Sequence, residues 1–171
     1  MLVRQNLVHD VTSAAGIWLD WDNRRSRVTQ NVVADVRHTI PGGIFLEASR
    51  TPNLIDRNVV WSVDARAINL SDTSNVTVNF IGPAETAVSA QTVTDRSLAG
   101  EPLDASANEI RANLLVATAG DPDLADDNVF ADNKSVAATL HRESWQLELH
   151  DAGYLPERFV ETDSSTGRGD R

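Results

Sequence analysis

Apolar and polar residues alternate with a period of two along much of this chain, which restricts it to strand-rich folds. In the clearest segment, 58–70, one face carries Val59, Trp61, Val63, Ala65 and Ala67. Successive side chains of a strand point to opposite faces, so this alternation is typical of a half-buried strand. We therefore predict a strand here, with Trp61 in the core.

The alternation continues beyond this segment. Turn-forming residues fill 72–75 and the apolar positions resume at Val76, a pattern that predicts a β-hairpin ending at Gly82. The same alternation predicts further strands at 16–21, 27–39, 44–48, 86–93 and 139–149. No internal repeat is evident.

One helix is predicted, over about 106–118. Ser106 followed by Glu109 fits a capping box, in which the two side chains satisfy the first free N–H groups of a helix. Ile110 and Leu114 then supply an apolar stripe at helical spacing.

Many short strands with a single helix indicate a mainly β fold, and we predict an antiparallel β-sandwich or barrel. The prediction is one domain over 1–161 followed by a polar Gly/Ser-rich tail over 162–171.

The charge is unevenly distributed among residue types. The net charge is −10, and Lys134 is the only lysine beside 14 arginines. At molar salt the Debye length is about 3 Å, so repulsion between carboxylates costs little. A surface rich in short Asp side chains and poor in Lys stems is therefore expected to be adapted to high salt.

The chain lacks the residues that several kinds of catalysis and ligand binding require. The chain has no cysteine, which excludes disulfides and thiolate catalysis. The acidic loop 121–132 matches an EF-hand at its first, third and last positions but has Asp126 where glycine is required. No motif for a nucleotide, metal or other cofactor is present, so no cofactor is predicted.

The large aromatic residues leave two interpretations open. Trp18 and Trp21 differ by three positions, so on one strand they would face opposite ways and one would be exposed. The exposed one would lie in an interface or on a sugar-binding platform.

Five arginines are predicted to lie in subunit contacts, where a guanidinium pairs well with the carboxylates of an acidic copy. They are the turn residues Arg24, Arg25 and Arg27 and the tail residues Arg168 and Arg171. The turn cluster is too small and the chain too acidic for sequence-specific nucleic-acid binding. The expected partners are copies of itself and other virion proteins.

These observations favour a non-enzymatic assembly subunit, a virion component of a tailed virus of a halophilic host. The candidate parts are a head–tail connector, a tail terminator or tube, and a capsid decoration protein. The alternatives are a cell-surface or ligand-binding β-module and an enzyme with a dispersed site. No signal peptide or membrane span is expected, which is consistent with assembly in the host cytoplasm.

Overall fold

The computed structural model describes residues 1–150 except 22, 40, 50, 72–73, 91–92, 99–100, 104 and 117–118, and for 93–98 and 101–103 it describes the backbone alone. This part of the chain contains twenty strands and no helix. In chain order they are β1 (Leu2–Arg4), β2 (Leu7–Thr12), β3 (Ile17–Leu19), β4 (Arg27–Thr29), β5 (Val32–Arg37), β6 (Ile44–Glu47), β7 (Asn53–Asp56), β8 (Val59–Ser71), β9 (Ser74–Thr77), β10 (Phe80–Ile81), β11 (Ala84–Ala90), β12 (Val93–Leu98), β13 (Glu101–Leu103), β14 (Glu109–Arg111), β15 (Leu114–Val116), β16 (Asp123–Leu124), β17 (Val129–Ala131), β18 (Lys134–Val136), β19 (Ala138–His141) and β20 (Gln146–Leu149).

The strands stack in register into three parallel walls. The first wall has the order β1-β4-β7-β9-β14-β17. The second contains β2, β5, the first half of β8, β10, β15 and β18, and the third contains β3, β6, the second half of β8, β11 and β16. Each strand pairs with the equivalent strand of the next coil, so the chain winds as a parallel β-helix.

The mainly β class is confirmed, but the predicted antiparallel sandwich or barrel is wrong. Among the described residues, the pairs β12–β13 and β19–β20 alone run antiparallel. The predicted hairpin over 58–82 is wrong as well, because Phe80 lies beside Val59 in a parallel pair. Alternation shows that a segment is a strand, but it carries no information on the direction of the neighbouring strand.

The predicted helix at 106–118 is also absent. Its residues form β14 and β15, in two different walls, joined by a bend at Ala112 and Asn113. Ile110 is buried in the interior and Leu114 is buried on the outer face of the second wall, so their spacing of four residues does not mark one face of a helix.

The interior is a stack of aliphatic side chains, one layer for each coil. Each wall contributes columns of residues that are at most 3% exposed: Val28, Ile55, Val76 and Ile110 from the first, Val33, Val60 and Ile81 from the second, and Leu19, Leu46 and Leu70 from the third. Burying each such side chain stabilises the fold by about 1.5–3 kcal/mol.

An asparagine ladder lies along the bend between the first and second walls. At each step of the ladder, the side-chain oxygen of one Asn accepts two hydrogen bonds from the Asn one coil earlier. The backbone N–H of that Asn donates one, at 2.9–3.1 Å, and its side-chain amide donates the other, at 2.8–3.0 Å. The members of the ladder are Asn6, Asn31, Asn58, Asn79, Asn113 and Asn133. The residue before every member has a positive φ, between 55° and 59°, which produces the sharp bend.

The ladder is an internal repeat, contrary to the sequence analysis. Its members are 25, 27, 21, 34 and 20 residues apart. These unequal coil lengths hide the repeat from a search at one fixed period.

Trp61 was expected in the core and instead lies on the outer face of the second wall, where it is only partly buried. Ser62 has a φ of 59° and bends the strand without changing its register, so Val60 and Val63 are both buried on either side of it. The Trp61 ring packs over Gly82, where an added Cβ would come within 2.4 Å of it.

The β19–β20 hairpin lies against the outer face of the second wall. Leu147 and Leu149 pack there on a small cluster formed by Phe80, Leu114 and Val136. Within the described residues no helix could cross a membrane. The predicted tail, 162–171, lies outside the described residues, and the boundary at 161 stays a prediction.

Candidate functional site

The outer face of the third wall carries two exposed tryptophans beside two carboxylates. Side chains alternate along β3, so Ile17 and Leu19 enter the core while Trp18 and the following Asp20 point outward. Trp18 is 51% exposed and Trp21 is 44% exposed. Both are at the surface because β3 ends at Leu19, whereas a longer strand was expected to bury one of them.

Glu47 lies beside Asp20 on the neighbouring coil. The parallel pairing of the two strands ends at Leu19–Leu46, and Asp20 and Glu47 are the residues that directly follow this last pair. Neighbouring strands are about 4.8 Å apart, so the backbones of Asp20 and Glu47 lie close together on the outer face of the third wall.

The environments of these two carboxylates differ. Asp20 is exposed, and one of its oxygens accepts a 2.8 Å hydrogen bond from the backbone N–H of Trp21. Glu47 is only 3% exposed and accepts a 3.1 Å hydrogen bond from the indole N–H of Trp18. The Trp18 ring also packs against Phe45, with ring centroids 5.8 Å apart. A sheltered carboxyl group and a solvated one therefore share one site.

The loop after Asp20 is held against the segment that follows Glu47. The hydroxyl of Ser49 donates a hydrogen bond to the carbonyl oxygen of Asn23. Ser49 also accepts from the amide of Asn53, which is nearly fully buried. This contact keeps Trp21 and the rest of the loop beside the carboxylate pair.

The three predicted turn arginines occupy or follow this loop. Arg24 and Arg25 are exposed, and Arg25 has a φ of 49°. Arg27 begins β4 and donates to the buried carboxylate of Asp56 at 2.8 and 2.6 Å. The hydrogen bond to Asp56 raises the pKa of Arg27. Their role in subunit contacts stays a prediction, and Arg168 and Arg171 lie outside the described residues.

A second polar cluster lies on the second wall, where the tip of the β19–β20 hairpin meets the early coils. The guanidinium of Arg142 donates two hydrogen bonds to the buried carboxylate of Asp35, and Arg37 donates a third at 3.2 Å. Nearby, the rings of His9 and Trp145 stack with centroids 4.6 Å apart. The cluster borders a cleft of about 230 Å³.

Ion pairing satisfies the charges of this second cluster. Arg37 also donates to Asp64 at 2.8 Å and to the hydroxyl of Ser62. The backbone N–H of His38, followed by the Arg37 guanidinium, lowers the pKa of Asp64. Since each guanidinium is directed at a carboxylate, we interpret the cluster as the attachment of the hairpin.

The acidic loop is ordered as part of the walls. Residues 123–124 and 129–131 form β16 and β17, and the acidic residues of the loop are exposed. No group of three or more potential metal ligands occurs among the described residues.

The sequence analysis missed Asp20 and Glu47 as a pair, because neither belongs to a local motif. They are 27 residues apart, the same interval as between Asn31 and Asn58 of the ladder. Only the coil length brings them together. The chain matches no protein-family model, no curated protein and no solved structure.

Proposed function

We propose that this β-helix cleaves glycosidic bonds at Asp20 and Glu47. The observation that supports this best is a sheltered carboxyl group at the end of β6 and an exposed one directly after the neighbouring β3, with exposed tryptophans nearby. The sequence favoured a non-enzymatic role, which stays an untested expectation, and this pair leads us to a catalytic proposal instead.

Two adjacent carboxyl groups suit glycoside hydrolysis with retention of anomeric configuration. Retaining enzymes place them about 5–5.5 Å apart, whereas inverting enzymes need about 6.5–9.5 Å to admit a water molecule. We propose the retaining arrangement because Asp20 and Glu47 directly follow two paired residues of neighbouring strands, and the configuration of the released sugar tests it.

Each carboxyl group takes one role. An oxygen of Asp20 bonds to the anomeric carbon as the glycosidic bond breaks, and Glu47 gives its proton to the departing oxygen. Water then gives a proton to Glu47 and attacks the anomeric carbon, which releases the sugar from Asp20. The hydrogen bond from Trp18 holds the Glu47 carboxyl in place through both steps.

The tryptophans supply the binding surface. The apolar face of a pyranose ring packs on an indole, and Trp18 and Trp21 present exposed rings on either side of Asp20 in sequence. This agrees with the sugar-binding platform left open by the sequence.

The test is hydrolysis of p-nitrophenyl glycosides of both anomeric configurations at molar salt. We expect the wild-type chain to release p-nitrophenol with retention, and Asp20→Asn or Glu47→Gln to lower kcat at least about a hundredfold, the scale of one general acid or base. Glu109→Gln is the matched control, because Glu109 is exposed on the first wall, and it should change kcat less than about twofold.

Thermal melts of all variants show whether lost activity reflects lost structure. Absence of hydrolysis across the panel, or unchanged rates in both site variants, would contradict the catalytic proposal.

A second candidate function is the assembly subunit expected from the sequence. The favouring observation is a group of exposed apolar residues on the first coil, with Met1 62%, Leu2 54% and Leu7 46% exposed. Met1 and Leu7 border a cleft of about 610 Å³. Monomeric proteins seldom expose a contiguous apolar patch of this kind. The virion role, the virion partners and the location stay predictions.

Native mass at molar salt tests this candidate. We expect Leu7→Lys to shift any oligomer to monomer, since a charge would be buried in the contact, while exposed Asn75→Ala leaves the oligomer unchanged. A strictly monomeric wild-type chain would rule the assembly function out.

A further inference from the structure

We propose that copies of this chain stack end to end, with the last coil of one copy against the first coil of the next. The partner is a second copy in one fixed orientation, joined by the same parallel strand pairing that joins the coils within the chain. This inference goes beyond the catalytic proposal, and it deepens the second candidate function, assembly, by naming the partner and the interface. It follows from what the two ends of the β-helix expose.

Both ends of the first and second walls are open strand edges. The first coil begins these walls with β1 and β2, and the last coil ends them with β17 and β18. Among the described residues, each of these four strands pairs with a neighbouring strand on one side only. An open edge carries backbone N–H and C=O groups that can pair with another chain. Since every wall is parallel, the first edge of one copy suits the last edge of another.

The asparagine ladder shows which two ends fit together. Asn6 is its first member, and no described residue donates to the side-chain oxygen of Asn6. Asn133 is its last member, and within the described part of the chain its backbone N–H has no acceptor. In a stack that keeps the register, Asn133 of one copy donates to Asn6 of the next, as each member donates to the following one within the chain. Contact between two first coils or two last coils would place acceptor against acceptor or donor against donor.

Exposed apolar side chains occupy the same column at both ends of the first wall. Leu2 begins an outward-facing column and is 54% exposed, and Val129 ends it and is 36% exposed. Between them the column contains Arg27, Leu54, Asn75 and Glu109. Three of these four are polar, as suits a face in water, whereas both end residues are apolar. Stacking brings Leu2 and Val129 onto neighbouring strands, where each shields the other from water.

The hydrophobic core is also open at both ends. Val3 begins the first-wall column of the core and is only partly buried, and Phe130 ends that column and is 37% exposed. Val3 and Val8 line the cleft of about 610 Å³ on the first coil. Stacking places Phe130 of one copy beside Val3 of the next, as it lies beside Ile110 within the chain. The core then continues from one copy into the next.

The test blocks one end of the β-helix at a time, with Leu2→Lys at the first coil and Val129→Lys at the last. Both side chains are exposed on the outer face, so neither change places a charge in the core. Each junction contains one end of each kind, and a lysine buried there without a partner disfavours the contact. Sedimentation at molar salt should show multimers for the wild-type chain and monomers for each variant alone.

Mixing the two variants tests the direction of stacking. Leu2→Lys keeps an intact last coil and Val129→Lys keeps an intact first coil. An equal mixture should therefore form dimers of twice the chain mass of 18.6 kDa and grow no further. The matched control is Asn75→Lys, because Asn75 is exposed in the same column but in a middle coil, and this variant should form multimers as the wild-type chain does.

Multimers that survive in either end variant would overturn the inference and leave assembly through another surface standing. A mixture that stays monomeric, or loss of multimers in the Asn75→Lys control, would also overturn it. A monomeric wild-type chain would overturn both this inference and the assembly function. The glycoside assay reports on the catalytic proposal separately.

Discussion

Replacing Asn58 by Ala is expected to prevent folding or to lower the free energy of unfolding by at least about 3 kcal/mol. Asn58 is fully buried in the middle of the ladder. Its side-chain oxygen accepts from the backbone N–H and the side-chain amide of Asn31, at 3.0 and 2.9 Å. Its own amide donates to the carbonyl oxygens of Val28 and Asp56 and to the side-chain oxygen of Asn79.

The size of the effect follows from the groups that would lose their partners. Each buried polar group left without a hydrogen bond costs about 1–3 kcal/mol, and Ala would remove the acceptor of the Asn31 backbone N–H. It would also remove the four other hydrogen bonds that the Asn58 side chain makes. A typical domain is stable by only about 5–15 kcal/mol in total.

Urea unfolding at constant molar salt measures this change. Asn75→Ala is the matched control, since Asn75 is exposed on β9 outside the ladder and should shift the unfolding free energy by less than about 0.5 kcal/mol. If Asn58→Ala were as stable as the control, the ladder would not be the element that holds the coils in register.

Replacing Arg142 by Ala is expected to cost about 3 kcal/mol of stability. Arg142 contributes two of the hydrogen bonds to Asp35, and the Asp35 side chain is only 6% exposed. Without Arg142 this buried charge keeps only the longer contact from Arg37. Removing one partner of a buried ion pair costs about 3–5 kcal/mol, and we take the lower end because Arg37 remains.

A double-mutant cycle separates the ion pair from general effects on the hairpin. In the Arg142→Ala background, Asp35→Asn removes the stranded charge, so the double variant should be more stable than the sum of the single effects predicts. Arg4→Ala serves as the control for loss of an exposed arginine. Additive single effects would show that Asp35 and Arg142 do not depend on each other.

The sequence predicted strands well and their partners poorly. The segments 16–21, 44–48 and 86–93 each contain or overlap an observed strand, because a strand's alternation depends only on its own residues. The segment 27–39 was predicted as one strand but contains two, and a bend separates them at Gln30 and Asn31. When a residue other than glycine adopts the positive φ of a bend, the amino-acid types in that segment do not reveal the bend.

Asparagine usage contained a clue to the fold that a fixed-period search does not find. Of the 12 asparagines, six form the ladder. Asn53, Asn108 and Asn128 accept backbone N–H groups in equivalent hydrogen bonds at the start of the first wall. Nine of 12 therefore bridge coils, which a search for asparagines 20 to 34 residues apart would have detected.

The sequence by itself determined that the chain is rich in strands, has no cysteine chemistry and has an acidic surface, since these properties depend on residue types and local alternation. Only the tertiary structure decided that the strands run parallel, that Trp61 faces outward and that Asp20 lies beside Glu47. Each of these depends on which residue of the next coil lies opposite, and coil length and bends set that register. The candidate site exists because two successive coils bring Asp20, just after β3, beside Glu47, at the end of β6.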